Sequence, residues 1–309
     1  MKRLFGTEML LASLSVMILT LCSLASADAP LPLQMVEGNS GVLLTPTAYL
    51  ANPPKEGDAF GLPSVSAATG FMRHKDFEAF GITQNLWGRV EIGYAFERLG
   101  LGDWTDDVES ATGGLHVKNH VMLHNFNLRY MAVQEGDFDI TWMPAITIGT
   151  HFKWNENVDK IDSQLGGLLD MHGVDNHLGV EFTATGSKTI KDILPKPIII
   201  SAGLRNSDAI HTGLLGFAGE RSTTIEGSII YFLTDRLCFA AEYRQKPDFA
   251  NQITAGGKHL LKAENDWYDL LLAYVVNDNL TVAGGYVNWG NILNHRESNG
   301  WALQLKYEF

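Results

Sequence analysis

Residues 89–97 read RVEIGYAFE. Val90, Ile92, Tyr94 and Phe96 alternate with Arg89, Glu91, Gly93, Ala95 and Glu97. A strand sends successive side chains to opposite faces, so this stretch has one apolar face and one small or charged face. A helix would scatter the same residues around its axis. The period recurs outward along the chain. Leu178, Val180 and Phe182 alternate with His177, Gly179 and Glu181; Leu237, Phe239, Ala241 and Tyr243 alternate with Cys238, Ala240, Glu242 and Arg244. A long run from Phe138 to Trp154 does the same, with Pro144 inside it, where a missing N–H predicts a bulge or break in the ladder.

Twelve such stretches are expected, at about 64–72, 75–83, 88–98, 121–133, 137–154, 176–185, 196–205, 223–233, 236–245, 266–276, 279–289 and 300–309. After the first pair, long connections (99–120, 155–175, 206–222, 246–265) alternate with short ones such as Thr234-Asp235 and Asn277-Asp278. Transmembrane barrels sort their connections in this way, with long external loops and short periplasmic turns, whereas nothing in a soluble sandwich sorts loops by parity. The expected fold is therefore all-β: a transmembrane antiparallel up-and-down β-barrel of about twelve strands. It would occupy residues 64–309, after a signal peptide (1–27) and an N-terminal periplasmic or lumenal segment (28–63).

The leader reading rests on Lys2 and Arg3, an apolar run from Met9 to Leu24, and the small-x-small site Ala25-Ser26-Ala27. Cleavage there removes Cys22 and leaves Cys238 alone, so no intramolecular disulfide is expected. The 309 residues are 45% hydrophobic with a formal net charge of −12. Such an acidic chain is a poor partner for nucleic acid through bulk charge. No apolar run is long enough for a bundle of membrane-spanning helices.

The chain ends GWALQLKYEF, with Trp301, Leu303, Leu305, Tyr307 and Phe309 on one face. This resembles the C-terminal signal of bacterial outer-membrane barrels, which implies that the barrel-assembly machinery reads Leu305, Tyr307 and Phe309. The run Glu264–Ile292, ENDWYDLLLAYVVNDNLTVAGGYVNWGNI, is similar to a proteobacterial outer-membrane β-barrel family of unknown function. Residues Gly38–Leu50, GNSGVLLTPTAYL, resemble the N-terminal element of YjbH-like exopolysaccharide-associated outer-membrane proteins. These resemblances imply the outer membrane of a Gram-negative envelope, with outer-membrane lipid and lipopolysaccharide as surroundings.

If the apolar parity faces lipid, the other parity lines the lumen. Its candidates are Arg89, Glu91, Glu97, Arg129, Glu181, Glu226, Glu242, Arg244, Asp269 and Lys306. Twelve strands lie between the eight that side chains can fill and the sixteen of a wide porin. The interior is then either a narrow porin-like channel for a small hydrophilic or amphipathic solute, or a closed core of ion pairs supporting an envelope or exopolysaccharide assembly. The proline-rich segment before the barrel suggests a plug around Gly41, Leu44 and Pro46, unless 38–48 forms a further strand.

No catalytic residue, metal or cofactor is expected. His116, His120 and His124 enter a strand, where i and i+4 stand ~13 Å apart and cannot share an ion. Asp103, Asp106, Asp107 and Glu109 match no dedicated calcium spacing and read as a solvated acidic loop. Ser207 and His211 are a hydroxyl and an imidazole in one loop, without the GxSxG or HExxH context of a lipid-modifying hydrolase.

Overall fold

The computed structural model describes residues 33–309 apart from Glu56, Asp192 and Asn251; the expected leader, 1–27, lies outside these residues. In chain order the wall is β1 (Ser64–Phe71), β2 (Asp76–Leu86), β3 (Val90–Gly100), β4 (His120–Val133), β5 (Ala145–Asn155), β6 (Leu178–Ile190), β7 (Ile198–Ala209), β8 (Phe217–Phe232) and β9 (Leu237–Arg244). A short hairpin follows, β10 (Ile253–Ala255) and β11 (Lys258–Leu261). Then come β12 (Trp267–Val275), β13 (Leu280–Asn288), the two-residue strands β14 (Asn291–Ile292) and β15 (His295–Arg296), and β16 (Gly300–Glu308). Each wall strand pairs antiparallel with the next, and β1 closes on β16 from Ser64↔Glu308 to Phe71↔Trp301. This is a closed twelve-stranded barrel.

Closure satisfies every strand edge, as a lipid environment requires. Side chains then alternate. Along β12, Trp267, Asp269, Leu271, Ala273 and Val275 are buried, while Tyr268, Leu270, Leu272 and Tyr274 are exposed. The outer face is a belt of Phe, Ile, Leu, Tyr and Trp that includes Phe126, Ile148, Phe152, Phe182, Leu204 and Leu303. No helix of the described residues is long and apolar enough to cross a membrane.

The long connections gather at one end, where they carry α1 (Trp104–Thr112), α2 (Val158–Gln164) and the β10–β11 hairpin. Their apolar side chains pack on one another, with Leu101, Trp104, Val158, Ile161, Leu215 and Leu261 buried in the cluster. The barrel is thus capped at its loop end. The other end carries the short turns and the C-terminus.

Several boundaries differ from expectation; β2 runs on to Leu86 and β6 to Ile190. The strand expected from residue 137 begins at Ala145, because Gly136 and Phe138 take positive φ in a tight turn and Pro144 has no N–H to give the ladder. Pro144 therefore ends a turn and does not interrupt a strand. The long loop expected at 206–222 shrinks to 210–216, because β7 and β8 continue past a register shift between Ser207 and Ala209. Beyond the apolar belt the outward residues of these strands turn polar, and the alternation that marks a strand fades.

Glycine matters where the wall meets the chain inside it. Gly38 has φ +79°, and a Cβ at Gly93 of β3 would collide with the Gly38 carbonyl oxygen. Gly93→Val is expected to lower the stability of the folded protein by about 3 kcal/mol through this overpacking. A fall in the urea midpoint, with the barrel's circular dichroism retained, is the check.

Candidate functional site

Residues 33–51 lie inside the barrel. They are buried throughout, apart from a half-buried Tyr49. Gly38, Gly41 and Pro46 deny this stretch a regular strand, and it folds instead into tight reversals. Met35 N–H donates to Asn39 O (2.9 Å), Val36 N–H to Leu43 O (3.0 Å) and Val42 N–H to Thr45 O (2.9 Å). Two isolated bridges, Gln34↔Ser40 and Gly41↔Pro46, are its only β pairing among the described residues. The segment 38–48 is therefore a plug and not a thirteenth strand of the wall.

Among its polar contacts with the wall, three seats involve charged side chains. In the first, Glu37 enters a ring of cations: Lys153 Nζ lies 2.8 Å and Arg244 Nη2 3.0 Å from its Oε1, and Arg205 Nη1 3.1 Å from its Oε2. The same cations pair with wall carboxylates: Lys153 and Arg205 with Glu181 at 2.9 and 2.6 Å, and Arg205 with Glu226 at 3.0 Å. In the second seat the wall supplies the anion. Glu242 accepts N–H bonds from Leu43 (2.8 Å), Leu44 (3.0 Å) and Thr45 (2.6 Å), and the Thr45 hydroxyl at 2.6 Å. Successive amides converging on one carboxylate form an anion-binding nest. In the third, Glu91 accepts from Ser40 N–H (3.1 Å) and Ala51 N–H (2.8 Å). Arg129 bridges Glu91 (2.8 Å) to the carbonyls of Ser40 (3.1 Å) and Thr47.

Little space remains. The void beside Glu37, lined also by Phe77, Trp267, Trp289 and Arg244, measures about 10 Å³, room for about one water.

Glu91, Glu97, Arg129, Glu181, Glu226, Glu242, Arg244, Asp269 and Lys306 are all buried within the barrel, as is the trio Gly41, Leu44 and Pro46. Arg89 is not in the lumen. It closes the turn Trp87-Gly88-Arg89, one residue before the β3 ladder begins, and its Nη1 lies 3.4 Å from Met131 O. Lys153 and Arg205 belong to the site although the candidate set lacks them. Both stand on the inward parity of their strands, which was the available signal. Glu37 had no comparable signal, because the segment that carries it has no period.

The remaining sequence candidates disperse. His116 pairs with Glu109 in a loop, whereas His124 turns outward, 2.8 Å from the Tyr94 hydroxyl and stacked on Trp154. Asp107 pairs with Lys258 and His295. Ser207 donates to Glu181 (2.6 Å), and His211 faces Glu264 (3.2 Å), so this hydroxyl and this imidazole form no relay. Glu37, His151 and Glu181 offer ligand atoms within 4.8 Å of one another. Lys153 and Arg205 already hold those carboxylates, which opposes adding a metal charge.

Outside the membrane-spanning strands, Glu264 ties the 245–266 connection to the 210–216 turn. It accepts His211 N–H at 3.0 Å and lies 3.3 Å from Lys246 Nζ. Burial opposes its charge, but His211 and Lys246 outweigh that and hold the carboxyl down at about 2.

A closed, capped and plugged antiparallel barrel with an apolar outer belt is a barrel of the outer-membrane type. The chain belongs to the family described as Protein of unknown function (DUF3034), whose model matches residues 32–306. No curated protein matches it. Among solved structures it is similar to the KdgM porin at 10% identity and TM-score 0.48, over 80% of this chain and 99% of that one. It is similar to the outer membrane protein Omp33 of Acinetobacter baumannii at 8% identity and TM-score 0.45, over 81% and 99%. The COG4313 outer membrane channel from Pseudomonas putida F1 matches at 10% identity and TM-score 0.43, over 83% and 100%.

Two outcomes follow from these seats. Glu242→Ala leaves the Leu43–Thr45 amides without their acceptor, and their hydrogen exchange is expected to accelerate about a hundredfold, equivalent to about 3 kcal/mol. Glu264 has a depressed folded pKa, so its contribution is complete above an unfolded value of ~4.3. That contribution is lost as pH falls from there through about 2. Urea midpoints taken between pH 6 and pH 2.5 should therefore fall more steeply for the native protein than for Glu264→Gln.

Proposed function

We propose that the protein is an outer-membrane barrel that passes a small hydrophilic or amphipathic solute, and that residues 33–51 close its lumen in the conformation described here. The observation that carries this reading is how the plug is held. Its polar seats are hydrogen bonds and ion pairs to wall side chains, beside apolar packing of Leu33, Val36, Val42, Leu43 and Leu44. It has no place in the wall ladder and no cross-link beyond the chain itself, so it can leave without opening the barrel. A permanent filling has no need of such groups, since replacing a buried ion pair by well-packed apolar side chains is often neutral or stabilising. Ionisable groups retained at membrane depth mark pathways more often than props.

In this reading the short turns and the C-terminus face the periplasm, and the apolar belt faces outer-membrane lipid with lipopolysaccharide around the capped end. The barrel-assembly machinery reads the outward Leu305, Tyr307 and Phe309 during insertion. A second reading is a closed barrel that supports an envelope or exopolysaccharide assembly. The apolar cap over the loop end favours it.

Planar bilayers separate the two. The native protein is expected to be mostly closed, and deletion of residues 33–51 together with the capping hairpin 253–261 to raise single-channel conductance at least tenfold. A deleted barrel that still folds and stays silent would overturn the passage reading, and stable co-purification of an envelope partner in mild detergent would support the second.

A further inference from the structure

Glu37 is the one charged side chain between Leu33 and Ala51. An otherwise neutral segment thus places a single carboxylate in the most cationic part of the lumen. Around it, Lys153, Arg205 and Arg244 supply three positive charges from β5, β7 and β9, while the wall carboxylates paired with them, Glu181 and Glu226, supply two negative ones. Glu97 makes no ion pair with these cations among the described residues. With Glu37 withdrawn, each of these three cations loses one carboxylate partner in a water-poor space, where an under-paired charge is costly.

The contact geometry specifies what can replace Glu37. Its two oxygens are read separately, Oε1 by Lys153 and Arg244 and Oε2 by Arg205. That is two-oxygen recognition of a planar group, with each oxygen held by its own cations through charge-assisted hydrogen bonds. Beside it, Trp267 and Trp289 line the same void, and each has a buried indole N–H without a hydrogen-bond partner. Buried donors of this kind are normally satisfied.

We propose that Lys153, Arg205 and Arg244 form a binding site for a small carboxylate-bearing solute whose body carries hydrogen-bond acceptors, and that Glu37 occupies the site as a tethered competitor. The solute's carboxylate takes the place of the Glu37 carboxylate, and its acceptors meet the Trp267 and Trp289 N–H groups. Displacement of Glu37 unseats the tip of the plug. This deepens the passage reading and rests on it for the role of the plug, but the socket itself is tested without any flux.

The test is calorimetric titration of the full-length protein in detergent with sodium gluconate as probe, and with glucose and sodium sulfate as controls. Glu37→Gln is expected to bind gluconate at least tenfold more tightly than the native protein, and adding Arg244→Gln to abolish that gain. Neither control should bind Glu37→Gln comparably. A folded Glu37→Gln barrel with no gain in gluconate affinity overturns the proposal; so does glucose or sulfate binding as tightly as gluconate.

If Glu37→Gln yields no folded barrel, Glu37→Asp keeps the charge on a shorter stem that fits the socket less well. A threefold gain in gluconate affinity is then expected, and no gain overturns the proposal. Conductance after deletion of plug and hairpin without gluconate binding by these variants removes the socket alone, whereas binding without conductance removes the passage reading alone.

Discussion

Pairing of β1 with β16 leaves the wall no free edge and allows each of its side chains only two directions, toward lipid or toward the lumen. The outward half solves a simple problem, since lipid accepts Phe, Ile and Leu without further conditions. The inward half creates a harder one. Glutamates, arginines and lysines taken from bulk water into a narrow enclosure have to find their partners inside it. The wall resolves part of this across neighbouring strands, as where Arg205 of β7 meets Glu181 of β6 and Glu226 of β8. Residues 33–51 resolve much of the rest, giving Glu37 to three cations and backbone amides to Glu242 and Glu91.

The cap and the plug are held by different physics. At the loop end, Trp104, Val158, Ile161 and Leu261 bury one another in a small apolar core. Apolar burial is non-directional and proportional to area, so the cap holds wherever the loops can reach. The plug adds to the apolar burial of Val36, Leu43 and Leu44 a set of oriented bonds of specific length, several of which depend on a charge that water or a solute could also satisfy. Breaking one side of such a buried pair typically costs 3–5 kcal/mol, yet the intact pair adds little beyond an apolar substitute. Closure by the plug is therefore specific in its geometry without having to be strong.

Much of this was legible in the primary structure. RVEIGYAFE gave Glu91 and Glu97 the parity opposite to Ile92, and Glu91, Glu97, Arg129, Glu181, Glu242 and Asp269 are buried whereas Ile92 is exposed. Parity failed in identifiable places. Arg89 has the inward parity but belongs to a turn, where the rule does not apply. Polar outward residues such as Asn206 and Thr223, beyond the lipid belt, hid the outer ends of β7 and β8. Pro144 resembled a bulge within a strand because apolar residues on both sides of it continued the period by chance.

A period of two, held over twelve stretches and joined by connections sorted by length, determined the class of fold, the strand order and the identity of most lumenal charges. These depend on local backbone geometry, which each stretch encodes on its own. The primary structure raised the prospect of a plug around Gly41, Leu44 and Pro46 but could not assign Glu37 to it. The partners of Glu37 come from β5, β7 and β9, more than a hundred residues away along the chain, and its own segment has no repeat from which a direction could be read. Only the closed ladder brings Lys153, Arg205 and Arg244 to one point, and only there does a lone glutamate acquire a role.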